Sequence, residues 1–273
     1  MNTKYYVPLL VAAAIFARPA SAAFCWDDAD QDAYAQQFAP GLNGGVGFLK
    51  WEDLNPGDGT TFGGPFLVPD SFHSDEQALR GPDHRSWAIY GTSAVGRELV
   101  DELSSGTWTF LAAHHVKNTF NMGFSGFNLT SVKSSEYADF AEGELIRFGY
   151  DDWDSANKQE GGICYSVNSG LTYTFLGGAD WKGCRLQYSV SWNGQGTYTL
   201  IVENLDSEDE PIRKTIHTAL QSGPVAMLGT AIYGDDLNAG SIVFDAYEVI
   251  PEPAGAMPVL ALTVFAMALR RSR

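Results

Sequence analysis

The 273-residue sequence predicts an all-β chain, an antiparallel β-sandwich, on three observations. Short runs alternate apolar and polar residues, clusters of turn residues separate them at short intervals, and only one stretch carries helical spacing. A run of period two sends successive side chains to opposite faces, so each strand offers one apolar face to a core. Many such strands with scarcely a helix bury those faces by stacking two sheets.

The strand signal is clearest at 196–203, where Tyr198, Leu200 and Val202 share one face and Thr197, Thr199 and Glu203 the other; Ile201 alone breaks the polar side. Comparable runs at 46–51, 86–90, 107–112, 127–132, 145–150, 185–192, 225–233 and 242–249 predict further strands. The turn clusters lie at 55–59, at Asn193-Gly194 and at 206–211. The one helix expected is 94–103, where Val95, Leu99 and Leu103 recur at helical spacing. Trp87, Trp108 and Trp192 fall in strand runs and are expected in the core. Without an internal repeat, linker or low-complexity tract, residues 23–249 read as one β-sandwich domain.

Composition bounds the function. Hydrophobic residues make up 45% of the chain, enough for a packed core. The formal charge of -16 repels phosphate backbones, so nucleic acid is excluded as a partner.

Both ends carry addresses. Residues 1–22 hold Lys4, an apolar run at 7–16 and then Ala20-Ser21-Ala22, the order of a secretory signal peptide. Cys25 stands close behind, but the bulky Phe24 before it argues against lipid attachment. At the other end, residues 250–273 run from Pro251-Glu252-Pro253 through a stretch that is apolar or small except for Thr263, into Arg270, Arg271 and Arg273. As a helix that stretch spans roughly 24 Å, slightly short of a bilayer core, with its arginines placed to hold the terminus in the cytoplasm. The two prolines keep the preceding segment extended, which predicts an accessible Pro-Glu-Pro peptide just outside the membrane.

This ordered tail resembles the PEP-CTERM sorting signal of Gram-negative bacteria. The resemblance implies recognition of Pro251, Glu252 and Pro253 by an exosortase-type membrane processing enzyme, and a membrane contact, at least transient, through the C-terminal hydrophobic sorting helix. It also implies export to the cell envelope, the cell surface or an extracellular matrix, commonly by cells that make extracellular polysaccharide. The body more loosely resembles a concanavalin A-like, or LamG-like, jelly roll. Residues 86–90, Arg97 with Leu99, 106–110, 196–204 and the closing run 241–249 with its Phe244-Asp245 pair carry that likeness.

Chemistry-bearing residues are sparse. Cys164 and Cys184 flank Gly170, Gly177 and Gly178, and in an exported chain they are expected to form a disulfide, leaving Cys25 over. Glycan-hydrolysing jelly rolls place carboxylates at alternate positions of one strand. The nearest pairs here, Glu142 with Glu144 and Glu203 with Asp206, lack the full Glu-x-Asp-x-Glu run, so no enzyme and no catalytic residue is expected. His114 and His115 are adjacent and on a strand face opposite ways, while His73, His84 and His217 are scattered. Residues 28–32 begin like a calcium loop, but Ala33 and Ala39 stand where the glycine and the closing glutamate belong. No cofactor is predicted; Asp151, Asp152 and Asp154, or Asp235, Asp236 and Asn238, have the oxygens for one structural calcium without being assigned it. For extracellular polysaccharide, an aromatic ring beside carboxylates suits a sugar, which nominates Trp153 between Asp152 and Asp154, and Trp181 beside Asp180. A non-catalytic glycan-binding sandwich is the leading expectation. A purely structural envelope or matrix protein is the second, and a divergent glycan hydrolase the third.

Overall fold

A computed structural model describes residues 24–54, 66–69, 85–90, 93–115, 123–133, 143–154, 159–168, 171–218, 220–233 and 240–252. The signal-peptide region and the apolar tail lie outside these residues, as do His73, His84, Glu142, Asp235, Asp236 and Asn238. No helix among the described residues is long and apolar enough to cross a membrane.

Two antiparallel sheets pack face to face, so the chain is a β-sandwich as its periodicity predicts. One sheet orders β13 (Ile212–His217), β12 (Thr197–Asn204), β11 (Leu186–Trp192), β6 (Gly106–His114), β15 (Ser241–Pro251), β4 (Arg85–Tyr90) and β3 (Phe66–Pro69), with β1 (Cys25–Asp27) also on β15. The other orders β10 (Thr174–Gly177), β9 (Gln159–Ser166), β8 (Glu144–Asp154), β7 (Phe124–Thr130), β14 (Val225–Tyr233), β5 (Ser93–Leu103) and β2 (Phe48–Asp53). The chain winds between the sheets in jelly-roll fashion. β15 bends at a bulge between Asp245 and Glu248, where Ala246 takes a φ of 56°, and it exchanges β4 for β1 as its neighbour there.

The core is aromatic. Phe110 stacks on Tyr188 at 5.1 Å and meets Phe127 of the opposite sheet at 4.2 Å, while Trp51, Trp87, Phe38, Phe244 and Tyr247 form a second group. Trp87, Trp108 and Trp192 are buried, as expected. Full burial of such side chains contributes roughly 1.5–3 kcal/mol each, which makes these inner faces the main source of stability.

The expected helix at 94–103 is strand β5. Its signal misled for a physical reason: a spacing of four is a multiple of two as well as a helical interval, so Val95, Leu99 and Leu103 suit either element. Both faces of β5 are buried over 93–99, because Leu54 packs with Ala94, Met227 and Ala231 on its outer side. That burial erases the polar alternation by which a strand is recognised.

The sandwich has two distinct ends. β15 finishes at Pro251 opposite Gly106, beside the tips at 104–105, 193–196 and 218–224. At the far end, the connection at 205–211 follows β12 and the turn at 178–185 precedes β11.

Candidate functional site

The outer face of the seven-stranded sheet holds a buried polar cluster. Register places Gly96, Gly229, Asn128, Arg147 and Ser166 in one row across β5, β14, β7, β8 and β9. The next row is Ala94, Ala231, Gly126, Gly149 and Cys164. This second row is a floor of small residues, and two of them have no room to grow. A Cβ on Gly126 would stand 2.3 Å from the Phe148 carbonyl oxygen, and one on Gly149 2.3 Å from that of Ser125.

Above this floor Arg147 holds Glu144. Its Nη2 and Nε lie 2.8 and 2.9 Å from Glu144 Oε2, and Asn128 Nδ2 donates to the same oxygen at 3.3 Å. Residues three apart on a strand ordinarily face opposite ways. A register shift opposite Leu129 and Thr130 inserts one extra residue in β8 and brings Glu144 round to Arg147's side. Arg147 Nη1 reaches the Tyr173 hydroxyl at 3.4 Å, and its guanidinium lies 6.0 Å from the Phe124 ring centre. Phe124 and Tyr173 stack at 5.0 Å with an interplanar angle of 26°. Tyr173 is half-buried, and loss of solvent raises its hydroxyl pKa above the ordinary tyrosine range despite Arg147. Asn128 Oδ1 is buried and makes no hydrogen bond. The arrangement puts a carbonyl acceptor and an aromatic pair on one sheet face, both linked through Arg147 and Glu144, groups suited to a hydroxyl and to the apolar face it projects from.

Of the residues nominated from sequence for sugar, Trp181 and Asp152 are engaged within the protein. Trp181 is buried at 5% exposure, packs in the main core and donates its indole N–H to Asp209 Oδ2 at 3.2 Å, so it offers no open ring. Asp152 Oδ1 is 2.9 Å from Lys182 Nζ. Trp153 and Asp154 belong to β8, opposite Glu160 and Gln159, but their side chains lie outside the described ones. Asp151 is buried on the outer face. No group of three or more metal-binding side chains occurs among the described residues.

Cys164 and Cys184 do not form the expected bridge; all three cysteines are thiols. Alternation puts Cys164 with Gly149 on the outer side of its sheet, whereas Cys184 packs against the interior core from the turn that leads into β11. The sheet itself separates them. Burial, then the charge of Asp101, pushes the Cys25 thiol up to about 11, far from a reactive thiolate.

Two polar networks between the sheets were not legible in sequence. Arg97, fully buried, meets Asp27 Oδ2 at 2.8 Å, the Tyr34 hydroxyl at 2.8 Å and Asn43 Oδ1 at 2.9 Å, with the Phe48 and Trp51 rings each 4.9 Å from its guanidinium. His114 has its Nδ1 2.7 Å from Ser125 Oγ and its Nε2 2.9 Å from the Tyr188 hydroxyl. Burial, then the neighbouring His115, lowers its pKa to about 3, so the ring is neutral. All three members are fully buried and pack with the aromatic core between the sheets, which makes this a core contact.

The Pro-Glu-Pro tripeptide starts inside the fold. Pro251 is the last residue of β15, two positions beyond the expected domain limit, and the Glu252 N–H donates to Ser105 O at 3.4 Å. Thr107 Oγ1 donates to Glu252 Oε1 at 3.4 Å. Burial raises the Glu252 pKa, with Thr107 opposing. The first two residues of the tripeptide are thus extended, half-buried and paired with the fold, while Pro253 and the arginines lie outside the described residues.

No protein-family model and no curated protein matches the sequence. Among solved structures, the fold is similar to the globular domain of T. cruzi calreticulin, at 14% identity and a TM-score of 0.48 over 81% of this chain and 90% of that one. It is similar also to lectin II from Ulex europaeus, at 11% identity and 0.46 over 82% and 97%, and to lectin I-B4 from Griffonia simplicifolia, at 12% and 0.44 over 68% and 98%. Likeness at this level assigns neither ligand nor activity.

Proposed function

We propose that this chain is an exported β-sandwich of the cell surface or extracellular matrix that binds glycan without catalysis on the outer face of its seven-stranded sheet. The observation that carries the reading is the buried, unmatched Asn128 Oδ1 on the same sheet face as the Phe124 and Tyr173 stack. A sugar hydroxyl donating to that oxygen removes an uncompensated polar group, and the half-buried ring supplies the apolar contact. Two of the four carboxylates weighed for hydrolysis, Glu144 and Asp206, are otherwise engaged. Glu144 is tied to Arg147, and Asp206 accepts from Arg185 through both its oxygens. Neither is placed as the free acid or nucleophile a glycosidase needs.

The sorting half of the proposal rests on the ordered tail: Pro251-Glu252-Pro253, the apolar stretch and Arg270, Arg271 and Arg273. An exosortase-type enzyme is its processing partner, and a Gram-negative envelope its setting. Incubating the full chain with a panel of acidic and neutral polysaccharides, with retention and new reducing ends followed together, tests the binding half. Retention without new ends, lost in Asn128→Ala, is the expected result. New reducing ends would make the protein a hydrolase, and absence of both would favour a purely structural matrix protein.

A further inference from the structure

Among the described residues, the two ends of the sandwich differ in charge and in exposed apolar surface, and β15, which leads into the tail, finishes at one of them. At the far end, Asp206, Glu208, Asp209 and Glu210 are all exposed within one connection, with Asp180 exposed in the adjoining turn. At the end where β15 finishes, the tips at 104–105, 193–196 and 220–223 consist of Ser, Asn, Gly, Gln and Leu and carry no charge. Among the described residues, Asp101 and Glu102 near the end of β5 and Glu252 after β15 are the acids at this rim, while Glu136, Asp139 and Glu142 of the β7–β8 connection lie outside the described residues. Leu220 is 90% exposed and Leu171 85%, the largest values among the large apolar side chains of the described residues, and both stand at this end. Ile250 and Phe24, exposed beside the last turn of the chain, extend the same rim. Among the described residues, Tyr90 and Leu205 are the exposed large apolar ones at the opposite end.

The exit geometry leaves little slack. Pairing with β6 holds the chain to Pro251 opposite Gly106, and Glu252 is fastened to Ser105 and Thr107. Pro253 alone then separates Glu252 from the apolar stretch beginning at Ala254. A tether of so few residues spans roughly 10 Å even when extended, so a bilayer that takes up the tail meets this rim and no other.

We propose that the rim formed by Leu171, Leu220, Ile250 and the uncharged tips at 193–196 and 220–223 is a membrane-docking surface, seated on phospholipid headgroups with the acidic end pointing away. The inference rests on the reading of the tail as membrane-inserted. Serine, asparagine and glutamine side chains hydrogen-bond headgroups, exposed leucines enter the interface, and an anionic lipid surface repels the acidic end. Docking holds the outer face of the seven-stranded sheet sideways to the bilayer, open to polymer outside the cell.

The test places the full chain in vesicles of phosphatidylethanolamine and phosphatidylglycerol containing a phospholipid with a photoactivatable diazirine near its headgroup, and maps the labelled peptides by mass spectrometry. Label at 254–269 together with 193–196 and 220–223, and none at 205–210, is expected. Leu171→Asp with Leu220→Asp should reduce the label at the tips about fivefold or more while leaving 254–269 labelled, since single exposed leucines contribute strongly to interfacial binding. Label at 254–269 alone, or equal label at both ends, would overturn the docking surface and leave the tail reading intact. No label at 254–269 would sink the tail reading, and the docking surface with it.

Discussion

Arg97 and Arg147 are both buried, both paired with a carboxylate at 2.8 Å and both close to aromatic rings, yet their surroundings differ in kind. Arg97 lies between the sheets, where β1 and the 3-10 turn at 32–34 bring Asp27 and Tyr34 to it and the Trp51 indole N–H closes on the same hydroxyl at 3.1 Å. Its polar partners come from the chain's first described segments, so the cluster fastens the N-terminal region to the sandwich. Arg147 lies on the outer side of a sheet, and its cluster keeps an acceptor that the protein does not satisfy. Each cluster keeps a buried polar atom without a hydrogen-bond partner, Arg97 Nε and Asn128 Oδ1, but the first is shut between the sheets and the second lies on an outer sheet face. The same residue type therefore reads as architecture in one place and as a candidate site in the other.

The contrast is broken most severely at Arg97. Arg97→Leu strands the Asp27 carboxylate in the core and should cost about 3–5 kcal/mol, measured by denaturant unfolding. The paired change Arg97→Leu with Asp27→Leu should recover much of that loss, because no lone charge remains buried. Recovery would show that the cost lies in the orphaned charge, and its absence that the packing around Trp51 and Phe48 matters more.

A second large effect belongs to His114. The folded protein holds its pKa at about 3, whereas the unfolded chain takes up the proton at about the ordinary 6.5. Stability from this group is present above pH 6.5 and is lost as pH falls towards 3, at about 1.4 kcal/mol per pH unit. Unfolding free energies at pH 7.5, 5.5 and 4.5 should show this decline in the natural protein and a shallower one in His114→Gln. Parallel declines would mean that other groups carry the acid sensitivity.

Smaller effects sharpen the comparison. Asn128→Ala should cost about 1 kcal/mol or less, since the side chain makes one long hydrogen bond at 3.3 Å and keeps one oxygen unmatched. A site residue is distinguished from a structural one by that pairing of little stability lost with binding lost. Leu220→Asp should change stability by no more than about 0.5 kcal/mol, as expected for a surface position, and serves as a folding control for the docking variants.

The two-layer architecture was legible because alternating runs such as 197–203 have one face against a core. The regions that escaped detection are those where alternation fails for a physical reason. β5 is covered on both sides over 93–99, so its polar face is missing. The Glu144 and Arg147 pair depends on an extra residue in β8, and a shift of one position reverses which face a side chain joins. Arg97 with Asp27 joins positions far apart in sequence, and no local spacing reports such a contact. Trp181 was read as a loop residue and is one, but its turn folds back so that the ring enters the core. Flanking carboxylates alone did not distinguish an aromatic ring on a loop from one beneath it.

The most direct test of the central claim is retention of the full chain on immobilised polysaccharide, compared between the natural protein, Asn128→Ala and Tyr173→Ala, with Trp153→Ala beside them. The account predicts retention without reducing ends, lost at Asn128 and Tyr173 in proteins that unfold at nearly the natural denaturant concentration. Full retention in both variants, or loss confined to Trp153→Ala, would contradict the assignment of the outer face and move the site to the end of β8.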